Sequence, residues 1–531
     1  MKTSRKLFVC LLIVCMMIPI LASCNDNGTP HQPNIGTTAP NQPQGGTTPP
    51  SDSVVTTPDP DAGIEKPPLV DLGGYTYQAY VRMHAGDTLD EQLAHGNNRY
   101  HCIDFWVKEE KRDEDAISYA VYSRNSRIEQ DFNCKIRQVD SNGSQIEHLT
   151  HAYSNGDTYE LAIISAKPAA QAATKNLLRN LKEMTYVDLT HPSFDQNSID
   201  ELAVADKLYF LSGDMNVSTL EIAGLSIVNM KFYGDLLDTI LAAFDNDPAY
   251  TDIYTLVKNK KWTMETMMTL ATIANVDKDT ADGSALDAIN KGDTIGYHQY
   301  FNSTLWYFYS SGGRITTKNE EGIPVFSINS EDNQNLANYI YDHFNRATRV
   351  TWIPHAGSAT LNENFLTGNV LFMDCALFEI RTEIYDNVEF EYGILPNPVL
   401  NEGDDYHSVS YFNNWAHLWA VPSMVENAEF AERMLHIMAV YSSLHESTMH
   451  AYYDRTVYLN AARNNGSRTV LDIIRTSLVY DIALLYNWGG LEDMLNRLAS
   501  DNSNPYASAI STIRYIQPKV DETVNMLRNP S

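Results

Sequence analysis

The chain has few cationic residues for its size. Its 531 residues include 38 Lys and Arg against 67 Asp and Glu, which gives a formal net charge of −29 at pH 7. A surface this acidic repels the phosphate backbone of nucleic acids and anionic lipid headgroups. The composition therefore predicts no nucleic-acid partner and favours a neutral or cationic small molecule as the binding partner.

Cysteine is also scarce, and its spacing excludes a disulfide framework. Six cysteines are present, and after residue 24 only Cys102, Cys134 and Cys375 remain. An odd number of cysteines at wide spacing is not the pattern of a disulfide-stapled scaffold. A Cys102–Cys134 bridge is one alternative, and three small buried apolar side chains are the other.

Long apolar runs are missing everywhere except near the N-terminus. There, the cations Lys2, Arg5 and Lys6 precede an apolar run from Leu7 to Leu21. This run is too short for a stable spanning helix and has the layout of a secretory signal. Residues 1–23 are therefore predicted to be a cleaved signal peptide, so that the mature chain acts outside the cytoplasm.

The end of this signal resembles the lipobox of bacterial lipoproteins. Small residues precede the cysteine in the tetrad Leu21-Ala22-Ser23-Cys24. The resemblance implies that Cys24 becomes an acylated N-terminus and anchors the protein to the extracellular face of the cell membrane. The alternative is an ordinary cleavage site that a cysteine happens to follow.

The segment that begins at Cys24 has the composition of a tether. Up to about Pro68 it is rich in Pro, Thr, Gly, Asn and Gln and has almost no apolar side chain. Such a segment cannot bury enough surface to offset the entropy of ordering, so residues 24–68 are predicted to be disordered. The folded domain is predicted to span residues 69–531.

Motifs of common catalytic chemistry are absent from the sequence. It contains no phosphate-binding loop, no Gly-x-Ser-x-Gly elbow and no Cys-x-x-Cys pair. No catalytic residue and no cofactor are therefore predicted. The carboxylates of Asp277, Asp279 and Asp282 are calcium candidates, but Ala281 occupies the fifth loop position and Gly283 comes one place late. A solvated acidic turn is the alternative.

The body of the chain alternates between strand and helix patterns. Strands are predicted over 75–81 and 159–165, with helices between them, and this alternation favours a largely parallel sheet. The last 60 residues, from Leu471 onward, are predicted to be nearly all helical. We therefore expect an α/β fold of two lobes with a helical C-terminal region. The first predicted helix, residues 115–132, has one apolar stripe: Ile117, Ala120, Val121, Ile128 and Phe132.

Four segments resemble bacterial extracellular solute-binding proteins of the sugar-binding type, known as family 1. They are Gly156–Ser165, Gly368–Asp374, Tyr392–Pro398 and Tyr411–Pro422, and their order and spacing match that family. The resemblance implies a two-lobed periplasmic-binding-protein-like fold of type II, whose hinge lets the lobes close on a solute. It also implies that the solute, a sugar or oligosaccharide, is delivered to the permease subunits of an ABC importer.

Candidate ligand contacts follow from the predicted strand ends. Open α/β sheets bind ligands just past the carboxyl ends of their strands, where Lys167 follows one predicted strand and Asp374 ends another. Sugars stack their C–H faces on aromatic rings, which favours Trp306 and Tyr309 as a platform, although a core position is the alternative for both. The family's late ligand-facing loop corresponds to Phe412, Asn413, Asn414 and Trp415.

Two other functions compete with solute import. One is a secreted carbohydrate-active hydrolase with paired carboxylates, because acidic residues are abundant in this chain. The other is a surface glycan-capturing lipoprotein, a class built mostly of helical repeats. No repeat of 34 residues is visible, and the strand–helix alternation argues against that second class.

Overall fold

The computed structural model describes residues 60–82, 104–113, 115–141, 144–278, 292–345, 351–352, 358–410, 416–461 and 464–529. Residues 60–68, assigned to the tether on composition, contact the folded domain. Ile64 packs against the hydrophobic core, and His191 Nε2 lies 3.0 Å from the carbonyl oxygen of Glu65. Ile64 and Glu65 therefore belong to the folded domain and not to a free tether.

The first sheet has four strands. They are β1 (Thr76–Val81), β2 (Lys135–Asp140), β3 (Leu161–Ser165) and β12 (His417–Ala420), in the spatial order β12-β3-β1-β2. Strands β1, β2 and β3 are parallel, whereas β12 runs antiparallel to β3. This arrangement confirms the parallel sheet that the strand–helix alternation predicted.

The second sheet has five strands, in the order β10-β4-β9-β5-β8. Strand β5 is parallel to both β9 and β8, whereas β4 runs antiparallel to β9 and β10. These strands are β4 (Gly224–Asn229), β5 (Ile295–His298), β8 (Thr351–Trp352), β9 (Val370–Ala376) and β10 (Tyr392–Leu395).

The two sheets form the cores of two lobes, and the chain passes between them. After β3 it crosses into the second sheet through antiparallel β4, and it later returns to the first sheet through antiparallel β12. Two small pairs complete the strands: antiparallel β6 (Thr316–Lys318) with β7 (Pro324–Phe326), and parallel β11 (Ser408–Val409) with β13 (Leu478–Val479).

The helices surround these sheets, and their bounds follow in chain order. They are α1 (Ala116–Phe132), α2 (Gln145–Asn155), α3 (Ala166–Thr174), α4 (Gln196–Leu202), α5 (Val217–Glu221), α6 (Met230–Asp235), α7 (Leu237–Ala243), α8 (Ile253–Lys258), α9 (Met264–Ala274), α10 (Ser303–Ser310), α11 (Glu331–Phe344), α12 (Ser358–Leu366), α13 (Leu377–Glu379), α14 (Ala428–Ser443), α15 (Thr448–His450), α16 (Asn465–Thr476), α17 (Ile482–Tyr486), α18 (Leu491–Arg497) and α19 (Tyr506–Arg528). Wider π-helical turns follow α13 over Ile380–Ile384 and α15 over Ala451–Ala461.

Helix α1 illustrates how the sequence determines these elements. Asp115 caps its N-terminus by accepting hydrogen bonds from the backbone N–H groups of Ile117 and Ser118, both at 2.8 Å. The helix ends at Asn133, which adopts the left-handed conformation. All five residues of the predicted apolar stripe are buried, which confirms that prediction.

The C-terminal region is predominantly helical, as predicted. Helices α16 to α19 account for most of it, and the two-residue strand β13 interrupts them. In the part of the chain that the structure describes, no helix is both long enough and apolar enough to cross a bilayer.

Candidate functional site

Five buried polar residues meet where the chain crosses between the sheets, and we call them the crossover cluster: Arg82, Asp104, Asn216, Ser218 and His417. Arg82 follows β1, and its Nη1 lies 2.9 Å from His417 Nε2. His417 Nδ1 lies 3.1 Å from Ser218 Oγ. Ser218 Oγ donates to Asn216 Oδ1 at 2.8 Å. These contacts tie the ends of β1 and β12 to the start of α5.

Asp104 is the acidic member of this cluster. Its Oδ2 accepts a hydrogen bond from the backbone N–H of Ser218 at 3.1 Å, and its Oδ1 has no partner among the described residues. Burial raises the pKa of Asp104 to about 7, against the opposing effects of that hydrogen bond and of the Arg124 charge. Burial also lowers the pKa of Arg124 to about 10. Near neutral pH, Asp104 can therefore either donate or accept a hydrogen bond.

A buried ion pair connects α5 to the second sheet. Glu221, the last residue of α5, places Oε1 2.7 Å from Arg381 Nη2 and 2.8 Å from its Nε. Burial raises the pKa of Glu221, and the Arg381 charge opposes this effect. Arg381 lies in the π-helical turn beyond β9. The pair therefore joins the crossover to the segment that follows a central strand of the second sheet.

The carboxyl end of β5 carries an aromatic stack, which with its neighbouring glutamine we call the aromatic edge: Gln299, Tyr300, Phe301 and Trp306. Tyr300 and Trp306 stack with ring centroids 5.1 Å apart at an interplanar angle of 10°. Phe301 lies 4.5 Å from Tyr300, and 47% of it is exposed. The Trp306 ring lies against Gly224, where a Cβ atom would be 2.2 Å from Cδ2. The stack thus packs on the first residue of β4.

Gln299 is the buried amide of this edge. It is fully buried, yet neither Oε1 nor Nε2 has a hydrogen-bond partner among the described residues. The indole Nε1 of Trp306 also has none within the same ranges. A buried polar group without a partner costs about 1–3 kcal/mol.

Lys167, a predicted ligand contact, lies two residues past β3 and is partly buried. Its Nζ is 2.9 Å from Glu492 Oε2 on α18, and 20% of the Lys167 side chain is exposed. Burial raises the pKa of Glu492, against the opposing charge of Lys167. The structure therefore places Lys167 at a strand end, as predicted, and pairs it with a residue of the C-terminal region.

Asp374, the second predicted strand-end residue, lies inside β9 rather than at its end, because β9 continues to Ala376. The carboxylate is fully buried and accepts hydrogen bonds from Ser226 Oγ at 2.5 Å, from Tyr307 Oη at 2.6 Å and from Tyr297 Oη. Because three hydroxyl groups donate to this buried carboxylate, β9 can continue through a polar residue. Asp374 thus anchors α10 to the second sheet, and a direct ligand contact stays a prediction.

Trp306 and Tyr309 both lie on α10 and are buried. Trp306 belongs to the aromatic edge, whereas Tyr309 donates a hydrogen bond from its hydroxyl to Asp481 Oδ2 at 3.0 Å. The structure therefore brings only Trp306 to the end of β5. A stacking role for either ring stays a prediction.

Several predicted residues lie outside the described ranges. They are Cys24, Cys102, Asp279, Asp282, Phe412, Asn413, Asn414 and Trp415. Cys134 is a free buried thiol whose Sγ is 3.8 Å from Met434 Sδ. Asp277 is described, and no group of three or more His, Cys, Asp or Glu side chains within the described ranges could hold a metal ion.

The sequence argument missed Gln299, Phe301, Asp104 and Glu492. A signal existed for the first two, because they directly follow the strand Ile295–His298 and so occupy the position where open sheets bind ligands. No local pattern marks Asp104 or Glu492. Their partners lie far away in sequence, and only the fold brings them together.

The arrangement favours recognition of a neutral polyhydroxylated molecule. The aromatic edge offers an exposed ring and an amide without partners in the described part of the chain, and the crossover cluster offers hydrogen-bonding groups of both kinds. Glu221 is held by Arg381 and Asp104 by a backbone N–H, so both carboxylates have fixed orientations.

Comparisons with solved structures identify proteins of similar fold. An extracellular solute-binding protein from Staphylococcus aureus in complex with maltose superposes with a TM-score of 0.53 at 11% identity, over 84% of this chain and 98% of that one. The maltose-binding periplasmic protein MalE from Listeria monocytogenes, also in complex with maltose, gives a TM-score of 0.51 at 15% identity, with the same two coverages. A cyclo/maltodextrin-binding protein complexed with maltotetraose gives 0.50 at 15% identity, over 86% and 98%.

No protein-family model and no curated protein matches the chain. Structural similarity at identities this low establishes the fold alone. The chain has the two-lobed, periplasmic-binding-protein-like α/β fold that the sequence analysis predicted.

Proposed function

We propose that this chain is an extracellular solute-binding protein that captures a sugar or oligosaccharide between its lobes. The observation that carries the proposal is the aromatic edge. There the Phe301 ring is exposed, and Gln299, two residues earlier, is a buried amide without a partner among the described residues. Ring faces bind the C–H surfaces of sugars, and an amide binds their hydroxyls. The proteins of similar fold bound to maltose or maltotetraose support the same class of solute.

Delivery to an ABC importer is the second part of the proposal. A cleavable signal ahead of Cys24 would export the chain, and acylation would anchor it to the extracellular face of the membrane. A short tether would then keep the domain near the permease subunits at raised effective concentration. The resemblance of four sequence segments to sugar-binding solute-binding proteins supports this role.

Solute binding is tested by titration of the protein with saccharides in a calorimeter. Maltose, maltotetraose and a panel of other mono- and oligosaccharides serve as probes. We expect saturable binding of at least one of them and a rise in melting temperature, without turnover. Gln299→Ala should weaken that binding, whereas Gln517→Ala, at a half-buried position of α19, should not. Absence of binding to every saccharide would refute the proposed solute class.

The same mixtures distinguish import from hydrolysis. Chromatography of the saccharides after incubation should recover them unchanged. Released mono- or disaccharides would instead support the secreted hydrolase. The anchor is tested separately, because Cys24→Ser should move the protein from the membrane fraction into the medium if acylation holds it there.

A further inference from the structure

Helix α18 lies between the end of β3 in the first lobe and the start of α10 in the second lobe. On the first side, Lys167 Nζ is 2.9 Å from Glu492 Oε2, and only 4% of the Glu492 side chain is exposed. On the second side, Thr304 Oγ1 donates to the carbonyl oxygen of Leu495 at 2.8 Å. Asn302 Nδ2 also approaches Asn496 Oδ1 at 3.5 Å.

These contacts use neighbouring positions of one helix. Glu492 and Asn496 are four residues apart, so their side chains lie on the same face of α18, about 5–6 Å apart at Cβ. A single face of the helix therefore meets both lobes within one turn. Helix α17 packs on α3 nearby, which seats this C-terminal region on the first lobe.

Helix α18 contacts residues near the strand ends where we expect the solute to bind. Strands β3 and β5 belong to different sheets, and ligands of open α/β sheets lie at the carboxyl ends of such strands. Lys167 is two residues past β3, and Asn302 is four residues past β5. Any relative movement of these two strand ends must stretch a contact of α18 on one side or the other.

We infer that α18 is a third structural element of the solute site, and that it couples the edge of the first sheet to the edge of the second through the Lys167–Glu492 ion pair. Lys167 is then a positioning residue: it acts on the solute through the orientation of α18. The coupling itself stands without a solute, whereas its effect on affinity rests on the proposed function.

The coupling is tested on the ligand-free full chain by hydrogen exchange with mass spectrometry. Lys167→Met and Glu492→Gln each remove the ion pair and keep a side chain of similar size. We expect exchange to become at least threefold faster in peptides that cover 303–310, because the released α18 no longer holds α10. Asp493→Asn is the matched control, since it removes one carboxylate from an exposed position of the same helix.

Two outcomes decide the inference. Faster exchange in 303–310 for both variants, with no change for Asp493→Asn, would support it. Faster exchange confined to α3 and α18 would overturn it, because the ion pair would then act only locally. Lys167→Met keeps the test valid if Glu492→Gln fails to fold.

A second measurement separates this inference from the proposed function. Calorimetric titration with maltotetraose should show affinity altered at least fivefold in Lys167→Met relative to the control. If the unmodified protein binds no saccharide, the proposed solute class fails while the exchange result still decides the coupling. If it binds maltotetraose and Lys167→Met binds it equally well, α18 is not part of the solute site.

Discussion

The crossover cluster and the aromatic edge differ in how their buried polar groups are paired. In the crossover cluster, Arg82, Ser218 and His417 satisfy one another through hydrogen bonds. In the aromatic edge, Gln299 is equally buried but has no partner among the described residues. Three members of the crossover cluster therefore fix one another, whereas the proposed function assigns the Gln299 amide to the solute.

The largest expected effect is a loss of stability when Arg381 is replaced. Arg381→Met leaves the Glu221 carboxylate buried without its counter-ion, which typically costs about 3–5 kcal/mol of unfolding free energy. Urea denaturation followed by circular dichroism measures it. Arg433→Met removes the more exposed pair with Glu429 and should cost less than about 1 kcal/mol. Equal losses in both variants would contradict the structural role of Glu221–Arg381.

The next effect is the pH dependence that Asp104 confers. Its pKa is about 7 in the folded protein and near the ordinary value in the unfolded chain, so the folded state binds more protons between about pH 4 and 7. Stability from this group is therefore present at low pH and is lost as pH rises through 7, by as much as several kcal/mol. Asp104→Asn should remove this decline. Parallel stability–pH curves for both proteins would show that Asp104 does not titrate there.

The next prediction concerns saccharide binding by Trp415. It was predicted as an aromatic anchor from the late ligand-facing loop, and Trp415→Ala should weaken saccharide binding by about 1–3 kcal/mol. Calorimetric titration with the best saccharide of the panel measures this. Tyr515→Ala is the control, because Tyr515 is an exposed aromatic residue of α19, with 66% of its surface accessible. An unchanged affinity in Trp415→Ala would remove the loop from the site.

The smallest effect concerns the stability of the aromatic edge. Gln299→Leu removes an amide that has no described partner, so the ligand-free protein should keep its stability within about 1 kcal/mol or gain a little. Saccharide affinity should fall in the same variant, which separates stability from binding. Urea denaturation measures the stability, and calorimetric titration measures the saccharide affinity of the same preparation. A loss of more than about 2 kcal/mol in stability would mean that Gln299 supports the fold.

The fold was more accessible from the sequence than the site was. Helix α1 could be predicted because its cap, Asp115, and its apolar stripe are local features. The end of β9 was misjudged because Asp374 looks like a terminator, while its hydroxyl partners, Ser226 and Tyr307, lie far away in sequence. Lys167 was found at a strand end, but Glu492 lies 325 residues further along the chain. Local chemistry predicts elements, and long-range pairs need the fold.

The packing of Trp306 also has an optical consequence. Its indole is 1% exposed, stacks on Tyr300 and adjoins the backbone of Gly224 at the entrance to β4. Indole emission depends on the polarity around the ring, and Trp306 lies within a few residues of the groups that we expect a saccharide to touch. The protein therefore carries an intrinsic fluorophore beside the proposed site, and we expect saccharide titrations to change the tryptophan emission without an added dye.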